Sequence, residues 1–486
     1  MYLGLDLGTS ELKAILLTPD HRIVAQAQAS LTISQPQALW SEQAPQDWAA
    51  ALFAVCDQLA AEHPQVMADV RAIGLAGQMH GAVLLDAADA VLRPAILWND
   101  GRSHAQCAEL ERDVPTASRI AGNHAMPGFT APKLLWVREH EPQLFRQVKT
   151  VLLPKDYLRL LLTGEKATDC SDASGTFWLD IAARAWSAPL LDACGLDARH
   201  MPRLVEGNMP AGTLLPELAR RWGMRPGIII AGGGGDNAAS AVGMGVVAPG
   251  QGFVSLGTSG VIFIVSDGYR PNPSAAVHAF CHALPGIWHQ MSVMLAAASG
   301  LRWITQLTGR KNEAVLLAEV EALSAAERLA APIFLPYLRG ERTPHNDPLA
   351  KGAFIGLTQS HNAADLAYAV IEGVAFGLRD GLTALTGPNH AAGPLAMVGG
   401  GARSLFWSQL LADILEVPLI LTEGRTAGAA LGAARLAWLA TGGTIGEVCQ
   451  TPAELGRCIP NPQQSAALRP RYDRFRAAYP ALRPLS

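Results

Sequence analysis

The chain has 486 residues, more than one hydrophobic core ordinarily supports, so two or more domains are expected. Its composition is that of a globular protein, 49% hydrophobic and 16% charged, and a net charge of -4 excludes a broad positive field for nucleic acid or an anionic membrane. Seven scattered cysteines without a CxxC pair point to neither a disulfide framework nor a zinc site.

The first residues, MYLGLDLG, open directly on strand-like sequence, with no basic segment and apolar run of the kind a signal peptide carries. No uncharged stretch is long enough to span a bilayer, and the expected compartment is the reduced cytoplasm. Apolar runs predict strands at 2–7, 12–18, 22–28, 70–76 and 149–153, and helices at 47–63, 102–113, 131–142 and 154–163. IIIAGGGGDNAASAVG then predicts a buried strand, a glycine turn at 232–235 and a helix starting near Asp236. A boundary is expected at 246–251, where Pro249 and Gly250 break the helix.

Beyond it, strands are predicted at 252–257, 260–266, 288–293, 395–398 and 418–422. Helices are predicted at 295–308, 362–386, 404–415 and 426–440, and a last one at 464–479 in the tail. The expected units are 1–246, 247–440 and a C-terminal extension over 441–486. An internal echo ties the first two together. LGLDLGTSELKAILL at 3–17 and GFVSLGTSGVIFIV at 252–265 both run a strand into Leu-Gly-Thr-Ser, turn, and return as a strand. The pattern predicts two related α/β domains, each opening on a hairpin.

Phosphoryl transfer asks for a metal-holding carboxylate, donors for phosphate oxygens and a base for the attacking hydroxyl. Asp6 ends the first strand and is placed to hold Mg2+. Gly8, Thr9 and Ser10 offer turn amides and hydroxyls to phosphate, with Lys13 on the returning strand. Gly257, Thr258 and Ser259 form the matching turn, but Ser255 stands where the first hairpin has Asp6. Asp236 follows four glycines; an acid there reads as a helix N-cap or, with bare backbone around it, as a general base. GLAGQMHG puts Gln78, Met79 and His80 in one turn, and VGGGARS puts Gly399, Gly400, Gly401 and Ser404 against a flat nucleoside. No GxxxxGK[ST] occurs, so a P-loop is excluded, and neither glycine run makes a dinucleotide fingerprint.

An ordered series of segments carries a family resemblance over essentially the whole chain: GLDLGTS, GQMHG, AILWNDGR, GFTAPKLLWVREH, LLPKDYLRLLLTG, GGGGDNAA, SLGTSG, YLRGERTPHNDP, EGVAFGL and GGGARS. The chain resembles the FGGY carbohydrate kinases, and among them those that act on D-xylulose. The resemblance implies two actin-like, ribonuclease-H-like domains flanking a central cleft, with ATP and Mg2+ as cosubstrate and metal. It implies phosphorylation of D-xylulose to D-xylulose 5-phosphate, and a homodimer. It assigns Asp236 as base and Asp6 as phosphate and metal-site acid. Met79 and His80 become sugar contacts, joined by Gln78, Trp98 and Asn237. The 257–259 and 399–401 segments fall to ATP. Two departures concern loop shape: four glycines precede Asp236 where relatives carry three, and TSELK lacks a glycine that many relatives have after the serine. The alternatives are a kinase for another ketose, polyol or sugar acid such as ribulose or gluconate, an actin-like ATPase, or a sugar sensor; fold alone does not choose among them.

Overall fold

A computed structural model describes residues 1–387, 392–422 and 428–485. The first half is built on one sheet. Strands β1 (Tyr2–Leu7), β2 (Glu11–Leu17) and β3 (Ile23–Ser30) form an antiparallel meander. On the other side of β1, strands β4 (Ala72–Gly77) and β6 (Ile229–Ala231) run parallel to it, and β5 (Pro210–Thr213) closes the edge. The two-residue strand β7 (Gly234–Gly235) pairs with the end of β4, beyond β6. The order is therefore β5-β6-β4-β1-β2-β3.

The burial pattern follows the sequence. β1 and β4 are buried along both faces, as parallel strands covered on both sides are, and they read as unbroken apolar runs. β3 alternates exposed and buried residues, as an edge strand with one wet face does.

The second half repeats the plan. β8 (Gly252–Leu256), β9 (Gly260–Ser266) and β11 (Trp288–Met294) make the meander, and β12 (Leu395–Val398) and β13 (Leu419–Thr422) run parallel to β8. Two edge strands that the sequence reading did not anticipate extend it: β10 (His278–Cys281) and β14 (Glu454–Cys458). The expected actin-like doubling is thus present, with the two sheets sharing one strand order around β1 and β8.

Helices cover the sheets: α1 (Pro45–Glu62), α2 (Thr130–His140) and α3 (Pro154–Thr163) in the first half, then α4 (Asp236–Gly243). The second half has α5 (Ala298–Leu307), α6 (Ala363–Thr386), α7 (Leu405–Leu415) and α8 (Gly428–Ala440). Residues 426 and 427 of the expected 426–440 helix lie outside the described residues. Helix α8 lies between β13 and β14 of the second sheet in sequence but packs on the first. A side chain on Gly74 would come within 1.8 Å of the Ala433 carbonyl, and one on Gly432 within 1.7 Å of the Ala239 carbonyl in α4. Only bare backbone allows so close an approach.

The tail joins the second half. α9 (Pro462–Leu482) lies on α7, where Ser465 Oγ donates to the Asp413 carbonyl at 2.7 Å. Arg471 forks onto buried Glu372 of α6, with the shorter contact 2.6 Å. Among the described residues, no helix is long and apolar enough to cross a membrane.

Candidate active site

The hairpin between β1 and β2 sets Asp6 beside Lys13 in antiparallel register, and parallel pairing sets it beside Ala76. Ala76 in turn pairs with Gly234. Three strand ends therefore stop at one level, and the residues that follow them, Gly8 to Ser10, Gln78 to His80 and Asp236, emerge together. This is where the ends of parallel strands place ligand sites in open α/β sheets. Asp6 is half-buried, and its Oδ1 is enclosed without a hydrogen-bond partner. Burial first, and the Asp236 charge second, push its carboxyl up to about 7, with Lys13 working against both. The two acids thus converge.

The glycine run has a structural cause. Gly233 has φ 78°, and a side chain there would lie 2.0 Å from the Leu75 carbonyl; one on Gly235 would strike Met79 Sδ at 2.9 Å. Gly233 is needed for close backbone contact with β4, and Gly235 for contact with the Met79 side chain of the GQMHG turn. Gly235 caps α4, so Asp236 is the first helical residue rather than its N-cap. Its Oδ1 accepts from the backbone N–H of Asn237 at 2.7 Å and from the Asn237 side-chain amide at 2.9 Å. Burial raises the Asp236 carboxyl to about 6 against those two bonds.

Met79 is buried, and His80 is half-buried with a left-handed φ of 71°. That backbone is costly for a non-glycine residue and needs holding. Thr130 Oγ1 and Lys133 Nζ hold it, both donating to the His80 carbonyl, at 3.1 and 2.8 Å. His80 Nδ1 lies 2.7 Å from the Gly175 carbonyl, which can only accept. Nδ1 therefore carries the proton and Nε2 is an acceptor. Burial pushes the ring's pKa down to about 3, so the imidazole is neutral. Phe129 and Phe280 wall it at 5.0 and 6.3 Å between ring centres. Trp98 is exposed and its indole N–H donates to Thr9 Oγ1 at 3.0 Å, tying it to the first phosphate-type turn. Gln78 is buried, and its carboxamide is engaged internally: it accepts from Thr9 Oγ1 at 3.2 Å and donates to Gln43 Oε1 at 3.0 Å. It shapes the 8–10 turn.

The second half answers with its own turn. The carbonyls of Gly257 and Thr258 accept from Ala298 and Ala297 at the start of α5, which leaves Thr258 exposed. Gly399 has φ 91°, and a side chain there would lie 2.7 Å from the Leu256 carbonyl, so the turn over Gly399, Gly400 and Gly401 packs directly on the end of β8. Ser404 caps α7 by accepting from Trp407 N at 3.2 Å. A cavity of about 690 Å³ runs between the halves, lined by Asn237 and Ser240 of α4 and by Ser255, Gly399, Thr422 and Gly428. It connects the residue beside Asp236 to the second glycine turn, and its size suits a nucleotide-sized ligand.

Comparison with known proteins matches the chain to two successive models, the N-terminal domain of the FGGY family of carbohydrate kinases over residues 1–243 and the C-terminal domain over 252–441. This chain belongs to the FGGY family of carbohydrate kinases. It is 52% identical to a xylulose kinase of Escherichia coli K12, with all of both chains covered. A crystal structure described as a "xyloylose kinase" from Brucella ovis superposes with TM-score 0.96 at 49% identity, all of both chains covered. A gluconate kinase from Lactobacillus acidophilus reaches TM-score 0.93 at 26% identity, covering 99% of this chain and 97% of its own.

Several residues that shape the candidate site are given no role by the sequence: Gln43 and Thr130, then Lys133, Ser171 and Gly175. Gln43 donates to the Thr9 carbonyl at 2.8 Å and so props the first turn from α1's side. Lys133 lies in the GFTAPKLLWVREH segment that carries the resemblance; it is fully buried, and burial pulls its ammonium down to about 7. For a divalent cation the donor set fits. Asp6 offers an enclosed, unpartnered carboxylate oxygen beside a second acid, and Mg2+ takes one or two carboxylates with phosphates and water completing its shell.

Proposed function

We propose that this FGGY kinase transfers the γ-phosphoryl group of ATP to the 5-hydroxyl of D-xylulose, releasing ADP and D-xylulose 5-phosphate, with Asp236 taking the hydroxyl proton. The observation that carries the reading is the convergence of Asp236 and Asp6 at strand ends on either side of β4, with Met79 packed against the turn that leads into Asp236. The full-length 52% identity to a xylulose kinase supports the choice of sugar.

Each role follows from local chemistry. A base raised to about 6 is ionised at neutral pH and still basic enough to accept a proton as the O–P bond forms. His80 Nε2 accepts from a sugar hydroxyl, Asn237 adds an amide beside the base, and Trp98 and Met79 supply apolar surface to a carbon face. The 8–10 turn with Lys13 and the 257–259 turn hold the triphosphate from opposite sides. The 399–401 turn and Ser404 lie along the nucleoside. Asp6 would hold Mg2+, which would supply charge neutralisation to the phosphates. Closure of the two halves excludes water, which competes with the sugar as acceptor. The units are 1–246 for sugar and base, 247–440 for nucleotide, and 441–486 as an extension. All seven cysteines are free and buried, which fits a reducing, cytoplasmic setting.

The test is a coupled assay of ADP release with D-xylulose, D-ribulose, L-ribulose, gluconate and glycerol. D-xylulose is expected to give the highest kcat/KM. Turnover with gluconate and none with D-xylulose above the sugar-free rate would reassign the substrate.

A further inference from the structure

Behind the glycine run lies a wholly buried ionic cluster that the transfer step itself does not touch. α3 carries Lys155, Asp156 and Arg159, and the chain at 169–172 brings Asp169 and Asp172 against them, every side chain sealed from solvent. Lys155 Nζ stands 2.6 Å from Asp156, 2.9 Å from Asp169 and 3.2 Å from Asp172. Three acids face two cations. Burial, with the Asp156 and Asp169 charges adding to it against Lys155, drives the Asp172 carboxyl well above the usual range. Ions buried this way are a poor route to stability, because apolar residues of the same volume usually do as well.

What the cluster supplies is direction. Arg159 donates from Nη1 to the Ala231 carbonyl and from Nη2 to the Gly232 carbonyl, both at 2.5 Å. Asp169 accepts the Ser171 N–H at 2.7 Å and also the Ser171 hydroxyl. That hydroxyl accepts the Gly235 N–H at 3.1 Å. The 232–235 run is therefore gripped at the carbonyls of Ala231, just before it, and Gly232, and at its last amide, one residue before Asp236. Glycines have no side chains with which to fix their own path, so these contacts, with the Gly232 and Gly233 N–H groups donating to the Met209 and Gly207 carbonyls, help set where the Asp236 carboxylate points.

We infer that Arg159, Ser171 and Asp169, locked by Lys155, are positioning residues that aim Asp236 at the acceptor hydroxyl. The inference rests on Asp236 acting as the base. Ser171→Ala removes the acceptor for Gly235 N–H yet keeps the ion pairs, and Asp169 still receives the backbone N–H groups of 171 and 172. It is expected to lower kcat about tenfold, the scale of a slightly misaimed group, with the KM for ATP unchanged. In an Asp236→Ala background the same change is expected to cost nothing further. A role in stability alone would lower the melting temperature and leave kcat per folded molecule intact, or would give additive effects in the double variant; either result overturns the inference. Ser171→Cys, which keeps the volume and a weak acceptor, is read the same way should the alanine variant not fold, with a smaller fall expected. Near-normal turnover in Asp236→Ala itself would instead remove the base assignment, a failure distinct from an unaffected Ser171→Ala.

Discussion

Replacing Asp236 by Asn separates a catalytic carboxylate from a structural one, because activity and stability should move in opposite directions. The folded carboxyl titrates near 6 against an unperturbed 3.8, chiefly from burial. Ionising it therefore costs the folded state: stability falls as pH rises through this window, and the full penalty stands above about 6. About two pK units correspond to about 3 kcal/mol. The carboxylate is half-buried and faces the cleft, so solvent screening trims this to about 2 kcal/mol. Asparagine keeps the shape and the oxygen that accepts from Asn237, and it removes the charge that raises Asp6. Thermal unfolding in EDTA without nucleotide should show a melting temperature at pH 8 roughly 5 °C above the parent, a gain that shrinks toward pH 4. Turnover with sugar should fall at least about 100-fold. A variant that melts lower at pH 8, or that keeps near-normal turnover, would refute the reasoning.

His80 is neutral throughout the working range, so the KM for the sugar should be flat from pH 5 to 8 while kcat/KM falls below about pH 6 as Asp236 protonates. His80→Ala should raise the sugar KM about tenfold and leave the ATP KM alone, as loss of one buried acceptor predicts. Steady-state kinetics against pH checks both. Gly432→Ala drives a methyl into the α4 backbone at 1.7 Å and should cost about 3 kcal/mol in urea unfolding. Gly446→Ala, with open space around it, is the matched control and should be within about 0.5 kcal/mol of the parent.

The repeated core was legible because each hairpin writes its period and its turn into consecutive residues, and the strands of both meanders fall within a residue or two of expectation. β10 and β14 were not. HAFC and ELGRC carry no alternation of their own and become strands only by pairing with β11 and β13. The placement of α8 on the first sheet was equally hidden, since it depends on single glycines at 74 and 432 that meet only in three dimensions. The glycine run that singles out Asp236 in the sequence has a structural cause of its own: its glycines make room for Leu75 and Met79 of the protein itself. Gln78 and the lysines at 133 and 155 could not be ranked from sequence, because a polar residue's partners lie far along the chain.

The departure between the two hairpins explains how a doubled fold comes to have one reaction. Asp6 and Ser255 occupy equivalent positions, each next to the last residue of its first strand and each beside a Gly-Thr-Ser turn. Asp6 stands against a second acid and Lys13, a setting a divalent cation satisfies. Ser255 instead lines the long cavity between the halves. In the proposed mechanism a second carboxylate, at 255, would add repulsion toward the nucleotide phosphates, whereas a hydroxyl can donate to a phosphate oxygen or accept from ribose. Under the proposed assignment, the asymmetry would place the metal carboxylate in the first half alone, on the side of the cleft where Asp236 lies.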